Sequence, residues 1–363
     1  MGIKFAASLV NSGHEVYALC NITKEEKPGE LYQNLANVGC KIICLKRFYV
    51  PAALFSFLKA LWMMYCISPT VIITMNQSDV AFGGACSLLL RIKYVPSIQN
   101  IRWFSGNQIF RFLKEILYSI NARNAELLLC CSRVVRQEAL GRFGVMRSRT
   151  CLVFNSVPER KIYDRSNKER MRTVFANIGR IDPQKGQLRI IKAFLSAFSG
   201  DERQQLWLIG DASIGVDGTT DEASIYKERL IDFLMQNDCF GQIQMLGWRN
   251  DVPELLRKID VYVHPSNWEG LSLAVLEAMQ AGLPIIISNR MDVPIGFIDK
   301  VSGYVVSIEG DKELVSALKS LSRVSRQEIL DTSIKNWKIV QKNYVDNVST
   351  KRFSKIVEQF LDV

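Results

Sequence analysis

His264–Gly282 reads HPSNWEGLSLAVLEAMQAG, and its pattern decides how the rest of the chain is organised. Ile259–His264 (IDVYVH) alternates branched and aromatic residues as a strand does. Pro265, Ser266 and Asn267 break that alternation, and Leu271–Met279 restores periodicity at helical spacing. A strand, a polar turn and a helix therefore follow one another. Two carboxylates flank the turn and the helix, Glu269 at the helix mouth and Glu277 about two turns further in. Gly270 stands between turn and helix, where a ligand can approach the backbone closely. A polyhydroxylated, anionic ligand suits this arrangement.

Upstream, Gly179–Gly186 (GRIDPQKG) follows the strand Thr173–Ile178 and precedes the helix Gln187–Phe198. Arg180 and Lys185 thus sit in a strand-to-helix loop, where backbone N–H groups and the helix dipole already favour an anion. Arginine offers a planar fork for phosphate oxygens and lysine a mobile point charge, so the pair can hold a diphosphate and stabilise it as it leaves. Such a loop alone is more often a solvated turn. It gains weight beside the first stretch, because both loops rise from carboxyl ends of strands and face one crevice. Glu277 can accept both hydroxyls of a ribose, or else simply face solvent from its helix. Glu269, nearer the reacting end, can hold sugar hydroxyls or support a developing positive charge.

Strands alternate with helices over the remaining length. The second half adds strands at Leu206–Gly210, Ile243–Leu246, Pro284–Ser288 and Gly303–Val306, with helices at Ser224–Asn237, Val252–Arg257 and from Asp311 onward, including Phe353–Leu361. The first half opens on a helix, Ile3–Leu9. Strands follow at Glu15–Leu19, Lys41–Leu45, Thr70–Thr74, Tyr94–Ile98, Ala125–Ser132 and Thr150–Phe154, with helices at Pro51–Ile67, Val80–Leu90 and Arg133–Phe143. This alternation predicts doubly wound α/β domains with ligands at the strand ends. A chain of 363 residues suits two domains. The polar stretch Glu159–Arg172 reads as the hinge, which gives domains of 1–165 and 166–344.

Hydrophobic residues at 48% and charged ones at 23% exclude a disordered or disulfide-stapled chain. The nine cysteines match no zinc or redox spacing and read as buried thiols in a reducing cytosol. The net charge of +10 is unevenly placed: residues 1–165 hold 21 Lys+Arg against 10 Asp+Glu, and residues 166–363 hold 25 against 26. A basic first half points to an anionic surface such as membrane phospholipid, or serves solubility alone. Nucleic acid ranks low as a partner, because it leaves the helix-mouth carboxylates unexplained. Within that half, Asn100–Asn124 mixes Arg102, Trp103, Phe104, Phe110, Arg111, Phe112, Lys114 and Tyr118, a set suited to an anionic interface or to a core helix with a solvated basic face. Met1–Val10 lacks a basic start followed by a long apolar run, so a signal peptide is not expected there. The apolar stretch Val50–Ile67, interrupted by Lys59, falls short of the roughly 20 residues of a spanning helix and reads as buried or surface-lying.

The motifs, taken in order, resemble glycosyltransferase family 4, the retaining nucleotide-sugar-dependent transferases of the GT-B fold. They are GHEV at Gly13–Val16, NSV at Asn155–Val157, GRIDPQKG at Gly179–Gly186, LIGD at Leu208–Asp211, LGWRNDVPELL at Leu246–Leu256, and the Glu-x7-Glu stretch EGLSLAVLE at Glu269–Glu277. The resemblance implies two Rossmann-like domains facing across a cleft, the N-terminal one on the acceptor side, with a final helix at about 345–363 returning to it. It implies Arg180, Lys185 and Gly179 at the donor diphosphate, with N–H groups of Gly270, Leu271 and Ser272. Glu277 falls on the ribose, Glu269 on the transferred sugar, and Trp248, Arg249 and Asn250 near the base. Where many relatives carry a histidine near the donor sugar, this sequence has Gln99 and Asn100, which with Arg102 become candidates for the sugar or acceptor side.

Relatives usually begin with a strand and a glycine-rich loop, whereas this sequence starts at the first helix, so the N-terminal domain is expected to lack its first strand. His14 and His264 are read as structural, the latter as support for its loop. No Asp-x-Asp pair is present, so neither a metal nor another cofactor is implied, and the cations do that work. The expected activity is transfer of a hexose or related sugar to a glycan or polyprenyl-linked glycan in bacterial surface polysaccharide synthesis. The expected location is cytoplasmic, with peripheral contact at the inner face of the plasma membrane. A catalytically impaired nucleotide-sugar-binding scaffold is the alternative.

Overall fold

Among the described residues every paired strand in the sheets is parallel to its neighbour, so the chain must cross back between consecutive paired strands and cannot join them by tight hairpins. The computed structural model describes residues 1–20, 30–44, 52–75, 77–99, 108–164, 172–212, 222–297, 300 and 302–361. Contacts divide the chain into two units, Met1–Ser156 with Asp346–Val363, and Val157–Val345. The division falls upstream of the expected 165/166 boundary, because Val157 pairs with Val345 within the second unit.

The first unit contains α1 (Gly2–Asn11), β1 (Tyr17–Cys20), α2 (Glu30–Asn37), β2 (Lys41–Cys44), α3 (Ala52–Ile67), β3 (Val71–Thr74), α4 (Gln77–Leu90), β4 (Lys93–Ile98), α5 (Gln108–Asn124), β5 (Leu128–Cys130), α6 (Arg133–Phe143) and β6 (Thr150–Leu152). Its strands form two separate sheets, β1-β2 and β3-β4-β5-β6. Side chains alternate across the larger sheet. Tyr94 and Ile98 of β4 pack with Tyr118 and Phe143 on one face, while Val95 meets Phe5, Phe353 and Val357 on the other. Tyr118 is thus a core residue and not part of a polar interface, which corrects that portion of the Asn100–Asn124 reading. The cysteine reading also needs correction, since Cys66 is exposed and Cys20, Cys44 and Cys151 are only half-buried.

The second unit runs β7 (Thr173–Ile178), α7 (Gln187–Phe198), β8 (Gln204–Ile209), α8 (Glu222–Gln236), β9 (Ile243–Gly247), α9 (Val252–Lys258), β10 (Val261–His264), α10 (Leu273–Gln280), β11 (Ile285–Ser288), β12 (Gly303–Val306), α11 (Lys312–Ser322) and α12 (Arg326–Asn343). The closing helix, α13 (Asp346–Leu361), belongs to the first unit, where Phe353 stacks on Phe5 at 4.1 Å and Asp346 pairs with Lys4 at 2.6 Å. The six-stranded sheet has the order β12-β11-β10-β7-β8-β9. The chain starts at β7 in the middle, builds to one edge, then returns to the other side through β10. That reversal makes β7/β10 the topological switch point, where ligands of doubly wound sheets bind beyond the carboxyl ends.

One glycine fixes the backbone beside that point. Gly210 has φ +133°, and a Cβ there would collide with the Gly179 carbonyl. Gly210→Ala should therefore destabilise the protein by at least about 1–3 kcal/mol. Urea unfolding checks this, and a midpoint equal to wild type would refute it.

Candidate active site

The carboxyl ends of β7 and β10, in register at Phe175–Val261 and Ala176–Tyr262, deliver two loops side by side. The first, Gly179–Gly186, contains a short 3-10 turn at Pro183–Lys185, capped by Asp182, whose carboxylate accepts the Gln184 N–H at 2.8 Å. Gly186 takes a left-handed φ of +71° to turn the chain into α7. Three bonds lock this loop to the one after β10. Gln184 Nε2 donates to the Trp268 carbonyl at 2.9 Å, Asn267 N to the Gln184 carbonyl at 2.8 Å, and Asn267 Nδ2 to the Pro183 carbonyl at 2.8 Å. On the other side, Glu269 N donates to the Arg290 carbonyl at 3.1 Å and Ser288 Oγ to the Ser266 carbonyl at 2.6 Å. The backbone that carries Glu269 is thereby held from two directions.

Lys185 and Glu269 meet in this enclosure as an ion pair, their side chains only 13% and 14% exposed. Reading the sequence had put the lysine and the carboxylate in different halves of the site, and the structure joins them directly. His264, fully buried at the end of β10, brings Nε2 to 3.6 Å from Glu269 Oε2, an electrostatic approach too long for a hydrogen bond. Its Nδ1 lies 3.0 Å from Tyr262 Oη. Burial pushes the Glu269 carboxyl up, but the Lys185 ammonium paired with it outweighs burial and holds the group below the usual carboxylate range. Burial lowers the His264 pKa, and the Lys185 charge lowers it further against the opposing pull of Glu269. Sequence reasoning missed Tyr262 and gave His264 only a supporting role. The alternation of VYVH was the available signal, since it puts both rings on one face of the strand.

The remaining candidates are distributed as follows. Gly270, Leu271 and Ser272 are buried at the mouth of α10, where Ser272 is the N-cap and makes no side-chain cap bond. The first N–H groups of that helix have no partner within it. Glu277 is half-buried in the second turn of α10. Gly179 is half-buried, and Arg180 is exposed with its carbonyl bound by Gln187 Nε2 at 2.8 Å. Beyond β9, Trp248 is 74% exposed, Asn250 is exposed, and Arg249 forms a forked pair with Asp251. Gln99 belongs to the first unit, with its amide donating to Ser97 Oγ at 2.7 Å. Asn100 and Arg102 lie outside the described residues. Among the described residues, no group of three or more His, Cys, Asp or Glu could hold a metal ion.

Because the folded Glu269 pKa is depressed, its stabilising contribution is complete above the ordinary carboxyl range and is lost as pH falls below 4.5. Urea unfolding of wild type and Glu269→Gln across that window should show the wild-type advantage shrinking toward acid, and a constant difference would contradict the assignment.

Residues 159–343 match the family described as glycosyl transferases group 1. Over 190 residues the chain is 29% identical to the UDP-Gal:alpha-D-GlcNAc-diphosphoundecaprenol alpha-1,3-galactosyltransferase of Escherichia coli, covering 52% of this chain and 46% of that protein. It is 25% identical over 294 residues to the putative glycosyltransferase EpsF of Bacillus subtilis (strain 168), covering 74% and 73%. The chain thus spans less than half the length of the first relative and about three quarters of the second. In fold it is similar to Anabaena HepE, solved in complex with UDP-glucose, with a TM-score of 0.79 at 15% identity over 99% of this chain and 96% of that one. With more than half of its length matched, and with parallel α/β units like those of GT-B proteins, this chain belongs to the glycosyl transferases group 1 family.

Proposed function

We propose that the protein is a retaining glycosyltransferase that moves a sugar from a nucleoside diphosphate donor to a glycan or lipid-linked glycan acceptor in bacterial surface polysaccharide synthesis. The observation that carries this reading is the enclosed Lys185–Glu269 pair at the sheet's switch point, beside an uncapped helix mouth. A cation, a carboxylate and helix N–H groups suit a diphosphate joined to a polyhydroxylated sugar. The donor class is further supported by HepE, which was solved with UDP-glucose, and the acceptor class by the E. coli relative, whose name specifies a diphosphoundecaprenol-linked sugar.

In this reading Lys185, Arg180 and the N–H groups of Gly270–Ser272 hold the diphosphate, with Gly179 leaving the backbone open. Glu277 takes the ribose hydroxyls, and Trp248, Arg249 and Asn250 stand near the base. Glu269 orients the transferred sugar. The bond from the anomeric carbon to the diphosphate breaks, with its electron pair leaving on phosphate. The acceptor oxygen bonds to the same face of that carbon and passes its proton to a departing phosphate oxygen. Fixed cations aimed at the leaving group lower the barrier without a metal ion. Gln99 is a candidate for the acceptor side.

In this reading a lipid-linked acceptor brings the work to a membrane surface, and two helices of the first unit carry exposed residues suited to it. Leu58, Trp62 and Tyr65 on α3, and Phe112, Ile116 and Ile120 on α5, are exposed large apolar residues at helical spacing, on the side of each helix away from the core. The basic excess of the chain lies in the same half. No helix among the described residues is long and apolar enough to cross a membrane. Exposed apolar side chains in a half with a basic excess favour peripheral binding to anionic lipid.

Incubation with UDP-galactose or UDP-glucose and a diphosphoundecaprenol-linked GlcNAc acceptor tests the activity. Lys185→Ala should lower kcat by about 100–1000-fold. Glu277→Ala should abolish donor use with an unchanged circular dichroism spectrum, and full turnover by that variant would sink the site assignment. Donor binding without transfer would instead favour a scaffold. For the surface, co-sedimentation with phosphatidylglycerol vesicles should exceed that with neutral vesicles, and the double variant Trp62→Ser/Phe112→Ser should release the protein. Equal recovery with both vesicle types would contradict the lipid-facing role.

A further inference from the structure

His264 is fully buried, and hydrogen-bond valence determines where its proton sits. Tyr262 Oη donates to the Ile178 carbonyl at 3.1 Å and lies 3.0 Å from His264 Nδ1. A carbonyl oxygen only accepts, so the single tyrosine proton is committed to Ile178. Tyr262 Oη must then accept from the histidine, which puts a proton on Nδ1. The neutral ring consequently has a bare Nε2. That atom is buried, has no hydrogen-bond partner and faces Glu269 Oε2 at 3.6 Å. A lone pair directed at a carboxylate is unfavourable in an enclosed site. In the free protein the Lys185 ammonium offsets it by pairing with the same carboxylate oxygen.

Lys185 has a second claimant in the donor diphosphate. If it turns to phosphate, Glu269 is left as a carboxylate in an enclosed pocket without its counter-charge, an arrangement that is costly. We propose that His264 is a positioning residue that takes up a proton on Nε2 as Lys185 passes from Glu269 to the donor diphosphate. The imidazolium then replaces the ammonium as the partner of Glu269, and the carboxylate keeps its place against the sugar. The inference rests on the donor-site reading given above. One proton comes from solvent, Nδ1–H stays on Tyr262, Glu269 remains ionised, and no bond to carbon changes in this step.

The groups facing the ring set the direction of the effect. Lys185 comes from the loop after β7, Glu269 from the loop after β10, and Tyr262 lies on the same strand as His264, with Glu277 of α10 acting on Tyr262. Moving the lysine charge away leaves the carboxylate to favour the protonated ring. Donor binding therefore takes up a proton, and affinity should rise as pH falls between the bound and free pKa values, by up to about tenfold per pH unit. A histidine that merely fills space would leave binding independent of proton uptake.

The test uses the full chain labelled with nitrogen-15 at histidine. Two histidines are present, so His14 is an internal reference for His264. The free protein should show His264 protonated at Nδ1 and bare at Nε2, and saturation with UDP-glucose or UDP-galactose should protonate both nitrogens. Calorimetry in buffers of different ionisation enthalpy should report uptake of about one proton per donor bound. His264→Gln should still bind the donor, more weakly and without that uptake. Binding with an unchanged ring and no proton uptake would overturn the handover while leaving the donor site standing. Undiminished uptake in His264→Gln would also overturn it, and failure of both nucleotides to bind would overturn the donor site and the handover together.

Discussion

An ion pair held away from water is the constraint on which this site depends. Lys185 and Glu269 are each little exposed, so neither charge is well solvated and each requires the other or a replacement. The scaffold supports that demand. Parallel strands β7 and β10 bring two sequence-distant loops together, and side-chain amides from Gln184 and Asn267 stitch the loops into one rigid piece. Glycines at 186 and 210 let the backbone turn and close up where any side chain would strain or collide. In the proposed reaction, preorganisation of this kind leaves little reorganisation for the moment when charge develops on a departing diphosphate.

A histidine and a tyrosine stand behind the pair in the same enclosure. Deep burial would ordinarily favour apolar side chains at the end of a central strand, yet β10 ends Tyr262-Val263-His264. Tyr262 connects His264 to the Ile178 carbonyl, so the polar ring is anchored in the sheet itself. The ring's other nitrogen faces Glu269, whose counter-ion is Lys185. In the proposed reaction, a site that exchanges its lysine between carboxylate and phosphate gains from a second base that becomes a cation only when required.

Much of the fold was legible because buried parallel strands and their crossover helices leave strong patterns. The apolar run of β11 and the Gly-Arg and Lys-Gly punctuation before α7 locate elements without any knowledge of partners. Other features were not legible, for physical reasons. α2, with the sequence ELYQNLAN, carries too few apolar residues to announce itself. Tyr118 could not be told from an interfacial aromatic until α5 was packed, and α3 is apolar around most of its circumference, so its apolar residues do not say which face is left to solvent. The pairing of Lys185 with Glu269 joins residues 84 positions apart, and only strand order brings them together. The tautomer of His264 depends on a carbonyl, which no sequence displays.

The most direct test of the account is a crystal structure of the protein with UDP-galactose bound. The account predicts the diphosphate between the Gly179–Gly186 loop and the mouth of α10, with Lys185 on phosphate, the ribose at Glu277, and His264 Nε2 within hydrogen-bonding distance of Glu269. A nucleotide bound elsewhere, or a diphosphate at this place with Lys185 still paired only to Glu269, would contradict it.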